Sequence, residues 1–173
     1  MIIEKFFERK VLKDYFFIQG TVEIDSDYLT KKINDGLGDP ENQSFKTNIK
    51  DQMTPWKHFN QDEQFLKILH KFIDLMDENV KLTEYKLEDS WGFCVNQGGY
   101  TKFHNHGNAI WSGVLYLNEH NQTLDFPDIN QKVKPEKGKF VLFSSFLNHG
   151  CKIHRCENPK LGISFNMTDR GFG

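Results

Sequence analysis

The chain has little that would place it outside a reducing compartment. Only three of its 173 residues are cysteine, Cys94, Cys151 and Cys156, and an odd number cannot pair completely within the chain, which argues against a disulfide-stapled scaffold. Long apolar runs are missing as well. The longest uncharged stretches, residues 104–118 and 140–151, are interrupted by His, Asn, Ser and Gly and fall short of the roughly 18 apolar residues of a membrane span. Glu4, Lys5, Glu8, Arg9, Lys10, Lys13 and Asp14 break up the first twenty residues, so no apolar core of a secretion signal is present there. Neither sign of charge dominates. With 22 basic and 24 acidic residues the net charge is −2, which argues against a dedicated nucleic-acid binder and leaves only a local basic groove open. Repeats, low-complexity tracts and linker-like boundaries are also lacking. Together these absences predict a soluble, cytoplasmic protein with no membrane partner.

What is present fits one domain spanning residues 1–173, since roughly 150 residues make a domain and no length remains for a separate cofactor-binding module. Sixteen phenylalanines point to a core built from aromatic rings. Residues 1–80 read as a strand with bracing helices. The strand covers 15–24, and Asp25-Ser26-Asp27 then offers N-cap chemistry for a helix through Tyr28, Leu29 and Ile33. Gly36-Leu37-Gly38-Asp39-Pro40 ends that helix, and 45–60 reads as an irregular covering segment. Phe65, Ile68, Leu69, Phe72, Leu75 and Met76 recur at helical spacing over 62–79, and His70 among them reads as a satisfied or solvent-edge histidine rather than a ligand. From Lys81 the period becomes two: Trp91, Phe93 and Val95 alternate with Ser90, Gly92 and Cys94. Further short strands are predicted at 100–104, 112–117, 123–126, 139–144 and 160–166. Successive strands without intervening helices mean antiparallel β-structure. The fold class is mainly β (α+β): a jelly-roll core over 81–173 with supporting N-terminal helices.

Three of the seven histidines form a pattern. His104 and His106 sit two apart at a strand end and so share a face. His149 follows another predicted strand, and a jelly roll can bring that strand end beside the first pair. The outcome would be a facial set of three ligands with open positions, as non-haem iron oxygenases use; the bland alternative is hydrogen bonding at the surface. Eleven residues later Lys160 opens a strand on which Lys160, Gly162 and Ser164 share a face. Lys160 is either a buried cation awaiting a carboxylate or an edge-strand lysine in solvent.

Residues 91–117, WGFCVNQGGYTKFHNHGNAIWSGVLYL, resemble the 2-oxoglutarate- and Fe(II)-dependent oxygenases related to prolyl hydroxylases, whose strands carry G-x-x-x-x-x-H-x-H followed by S-G-V-x-Y-L. GKFVLFSSFLNHG at 138–150 and NPKLGISFN at 158–166 are similar to later motifs of that family. The resemblance covers the C-terminal half and implies a double-stranded β-helix fold. It implies His104, His106 and His149 as iron ligands, with His106 where most of the superfamily has a carboxylate; Asp125 is the fallback ligand. Lys160 falls at the position that pairs with the distal carboxylate of the cosubstrate, with Tyr116, Ser164 and Ser112 as further cosubstrate contacts. The implied cofactors are Fe(II), 2-oxoglutarate and O₂. The implied reaction is hydroxylation of a substrate C–H bond, peptidyl and proline-like as first guess, with decarboxylation of 2-oxoglutarate to succinate.

Other readings stay open. A cupin-like three-histidine dioxygenase would need no 2-oxoglutarate, and a non-catalytic metal-binding or structural jelly roll would need no reaction at all. His149-x-Cys151-x-x-His154-x-Cys156 is a run of soft ligands too tight in sequence for an easy zinc tetrahedron, so Cys151 reads as a small buried residue with His154 and Cys156 in a turn. His58 and His120 read as exposed loop residues, and Arg155 as surface charge or an aid to an acidic substrate.

Overall fold

The computed structural model describes residues 14–80 and 84–170. The charge-broken start of the chain (residues 1–13) and the onset of period two at Lys81 lie outside the described residues. The first described element is β1 (Phe17–Thr21), shorter than the 15–24 segment that sequence suggests. Asp25 caps α1 (Ser26–Leu37) by accepting from the Tyr28 backbone N–H at 3.0 Å, and Asp62 caps α2 (Glu63–Asn79) by accepting from that of Phe65 at 2.8 Å. Both caps satisfy orphan donors of a first turn. Between the helices lie β2 (Ile49–Lys50) and β3 (Gln52–Met53), within the segment read as irregular. Then come β4 (Tyr85–Val95), β5 (Tyr100–His104), β6 (Trp111–Tyr116) and β7 (Leu124–Phe126). A 3₁₀ turn at Pro127–Ile129 leads to β8 (Gln131–Val133), β9 (Lys139–Ser144), β10 (His149–Cys151) and β11 (Lys160–Asp169).

The strands form two antiparallel sheets, ordered β1-β9-β6-β11-β4-β3 and β2-β5-β10-β7-β8. Period two then divides the residues of the larger sheet between two cores. Trp111, Leu115, Leu142, Ile163 and Phe165 pack with Leu29 and Ile33 of α1 and Phe65, Leu69 and Phe72 of α2. Trp91, Phe93, Val114, Tyr116, Val141 and Phe143 turn the other way, toward the smaller sheet. The helices therefore brace one face and leave the other to line the space between the sheets. Gly113 shows how tight the braced side is: a Cβ there would run into the Phe165 ring, itself held by Phe65 and Phe72.

The sequence misjudged some local environments. His120 is buried, its Nδ1 accepting from the Gln122 backbone N–H and its Nε2 bonded to the Asn158 carbonyl at 3.1 Å. His58 is half-buried, with Nε2 bonded to the Lys32 carbonyl at 2.7 Å. Both lie outside strands and helices, as expected, but bonds to backbone groups hold their rings out of the exposed positions that sequence suggests. His154 is buried against His120, with ring centroids 4.2 Å apart. Among the described residues the metal-binding group is elsewhere, and the 149–156 run does not gather into one.

Candidate active site

His104 and His149 are direct cross-strand partners at the meeting of β5 and β10. His106 lies just past β5, where its backbone N–H donates to the Ser145 carbonyl at 2.8 Å. The three side chains bring one ligand atom each within 4.8 Å of one another. His106 Nε2 and His149 Nε2 are 3.3 Å apart. Two imidazoles bound to one metal at roughly 2.1 Å, with an angle of about 90–110°, would have nitrogens about 3.0–3.4 Å apart, so the spacing suits a shared ion. The opposite ring nitrogens are already fixed. His104 Nδ1 bonds the Lys102 carbonyl at 2.6 Å and His149 Nδ1 that of Leu147 at 2.9 Å. A carbonyl on Nδ1 puts the proton there and leaves Nε2 as a lone-pair donor.

Electrostatics agree. Burial pushes His149 down to about 3, with His104 adding to the effect. Burial and His104 push His106 down to about 4, and burial also lowers His104. At neutral pH all three rings are uncharged, the state a metal needs. The donor set thus fits a divalent cation. Among the described residues this group consists of histidines alone; Asp125 instead accepts from Thr123 Oγ1 at 2.6 Å.

A cavity of about 700 Å³ between the sheets is lined by the three histidines and by Lys160, Tyr116, Ser112 and Ser164. Lys160 is 1% exposed. Its ammonium donates to Cys151 Sγ at 3.4 Å and sits 5.9 Å from the Phe93 ring centroid. Among the described residues no carboxylate forms an ion pair with it. Tyr116 lies next to it in the fold, opposite Gly162 on β11. Burial, then Cys151 and Asp125, push its phenol well above the ordinary range, so it remains an O–H donor. Ser112 belongs to a different group. Its hydroxyl donates to Asn166 Oδ1 at 2.6 Å and shares a hydrogen bond with Ser145 at 3.0 Å. Asn166 Nδ2 in turn donates to Asp89 Oδ1 at 2.9 Å. Ser164 is half-buried in the cavity wall. Cys151, read from sequence as a small buried residue, lines the same cavity, as do Asp89 and Asn166, which were not identified from sequence; the shared parity of Asp89 and Trp91 along β4 was the available signal.

Neither a protein-family model nor a curated protein matches this sequence. Solved structures do resemble it. A viral collagen prolyl hydroxylase from Paramecium Bursaria Chlorella virus-1, in complex with 2-oxoglutarate, superposes with a TM-score of 0.71 at 20% identity, over 90% of this chain and 96% of that one. A Pseudomonas putida prolyl-4-hydroxylase gives 0.69 at 19% identity, over 90% and 93%. The fold is that of the 2-oxoglutarate- and Fe(II)-dependent oxygenases. HygX from Streptomyces hygroscopicus, with nickel and 2-oxoglutarate bound, shares it at a TM-score of 0.64 and 10% identity, over 91% of this chain and 84% of that one. The double-stranded β-helix expected from the C-terminal motifs is therefore present, and the likeness runs through the N-terminal helices that those motifs did not cover.

Proposed function

We propose that the protein is a 2-oxoglutarate- and Fe(II)-dependent dioxygenase that hydroxylates a C–H bond of a peptidyl or small-molecule substrate. The observation that carries this reading is one cavity holding both a converged set of three neutral histidines and a buried ammonium to which, among the described residues, no carboxylate is paired. A buried, uncompensated charge costs several kcal/mol. A dicarboxylate whose far end reaches Lys160 would offset that cost.

His104, His106 and His149 would hold the metal, and Lys160 with Tyr116 would hold the distal carboxylate of 2-oxoglutarate. When bound, the metal and cosubstrate supply oxygen activation coupled to decarboxylation to succinate. The chain's own part is positional. The Nδ1–carbonyl bonds aim two of the imidazoles, Lys160 fixes the cosubstrate's direction by point charge, and the Phe93, Val114 and Phe143 wall keeps water from the reacting centre. Lys160 favours this reading over a three-histidine dioxygenase without 2-oxoglutarate, which has no use for a buried cation. The prolyl hydroxylases among the structural neighbours support a peptidyl substrate as the first to try.

The test is Lys160→Ala, assayed by substrate-uncoupled succinate formation and by equilibrium binding of 2-oxoglutarate and Fe(II) separately. The variant should lose 2-oxoglutarate affinity by about tenfold or more, given the roughly 1.5–3 kcal/mol of a charged hydrogen bond, and keep its metal affinity. Unchanged 2-oxoglutarate affinity would overturn the assignment.

A further inference from the structure

The cavity is electrically lopsided along its length. Its cation, Lys160, pairs in register with Val95, whereas Asn166, six residues further along β11, pairs with Asp89. At the strand rise that separates the two levels by about 20 Å. A short dicarboxylate reaching from Lys160 to the histidines does not extend to the Asp89 level, so that end is left for the primary substrate. Among the described residues its wall includes two carboxylates, Glu88 and Asp89, and no cation apart from Lys160. Glu88 is already partly matched, since its Oε2 is 3.8 Å from Lys86 Nζ. Asp89 is different. It forms no ion pair among the described residues, and Lys57 acts on it only at longer range.

Asp89 is also held in place. The Ser112 hydroxyl engages Asn166 Oδ1, which turns the Asn166 amide nitrogen onto Asp89 Oδ1, and Ser145 secures Ser112 from behind. Such a relay fixes one carboxylate oxygen, Oδ1, and does not engage the other, Oδ2. Burial raises the Asp89 pKa, partly opposed by the Asn166 bond, so a half-desolvated carboxylate stands ready for a counter-ion. Aromatic residues flank its position on β4: Trp91 lies two residues further along the strand, and the backbone N–H of Ser90 donates to the Trp56 carbonyl at 2.9 Å. Trp56, 41% exposed, meets Trp91 edge-on with ring centroids 5.0 Å apart, and both line the cavity. The Trp91 indole nitrogen is buried without a hydrogen-bond partner. A carboxylate and a partly exposed indole in one cavity wall make a combination that recognises an organic cation.

We infer that Asp89, with Trp56 at its side, is a specificity-determining subsite for a basic group, ammonium or guanidinium, on the primary substrate. The inference rests on the dioxygenase reading for the word substrate, but the charge preference does not depend on turnover. Anionic substrates are disfavoured at this end, and neutral ones gain only the hydrogen bond.

The experiment is calorimetric titration of the Fe(II)- and 2-oxoglutarate-loaded protein, kept anaerobic, and of the metal-free protein, with N-acetyl-arginine amide and with the shape-matched neutral N-acetyl-citrulline amide. The arginine probe should bind about tenfold tighter than the citrulline probe, the size of one charge-assisted contact. Asp89→Asn should remove most of that ratio while 2-oxoglutarate binding persists, and Trp56→Ala should weaken the arginine probe more than the citrulline one. Equal affinity of the two probes for the wild-type protein, or an unchanged ratio in Asp89→Asn, would overturn the inference. Because the metal-free titration reads charge preference by itself, failure of the iron and cosubstrate to bind would count against the dioxygenase reading alone.

Discussion

At the residue scale, the candidate site depends on imidazoles kept neutral by burial. In the metal-free protein this couples stability to pH. His149 and His106 have folded-state values depressed to about 3 and about 4, below the ordinary value near 6.5 that they regain on unfolding. The unfolded chain therefore binds more protons as pH falls, so their contribution is complete above about pH 6.5 and is lost progressively toward pH 4 and below. Thermal melts of metal-free protein should show the midpoint falling through this window. His106 and His149 replaced together by Gln should flatten that part of the profile, and a slope unchanged by the replacement would point to carboxylates instead. His106 itself is tested by His106→Ala. Loss of an outer-shell partner typically costs about 10–100-fold in metal affinity, and removal of a ligand should cost at least that. Unaltered Fe(II) stoichiometry and affinity would remove His106 from the set.

At the element scale, alternation along a strand carried most of what could be read in advance. Phe140 and Leu142 against Val141 and Phe143 on β9, or Ile163 and Phe165 against Lys160 and Ser164 on β11, are split between the braced face and the cavity. Sequence parity shows such a split without showing which side is which. The helices were legible because Asp25 and Asp62 cap them and their apolar stripes are long. Register was not legible. His104 opposes His149 through β10, which has three residues and no alternation to read. The two-residue strands β2 and β3 exist only through their partners β5 and β4. Gly113 belongs to this scale because it sets how closely β6 approaches β11 and α2. Gly113→Ala should destabilise the fold by about 1–3 kcal/mol, the usual cost of overpacking, measured as a lower denaturation midpoint with unchanged slope. A neutral effect would mean that Phe165 has room to move.

At the scale of the whole molecule, the arrangement is a brace, a wall and a cavity. The aromatic cluster of Phe65, Phe72, Phe140 and Phe165 fixes the larger sheet against the helices. The opposite face of that sheet contributes Lys160, Tyr116 and Asp89, and the smaller sheet contributes His104 and His149. The groups proposed to hold metal and cosubstrate thus come from different sheets and meet only when the two layers stack. That is why the histidine pattern alone was ambiguous in sequence, and why the buried state of Lys160 decides between readings that spacing left even. His120, expected to be exposed, was misread for the same reason: its partner Asn158, distant in sequence, reaches it only once the fold closes.

The central claim, that one cavity binds both a metal through three histidines and 2-oxoglutarate through Lys160, is tested most directly by visible absorption under anaerobic conditions. Adding Fe(II) and 2-oxoglutarate to the purified protein should produce a weak metal-to-ligand charge-transfer band that requires both components and disappears in His149→Ala. A folded wild-type protein that binds Fe(II) yet gives no band at saturating 2-oxoglutarate would contradict the account.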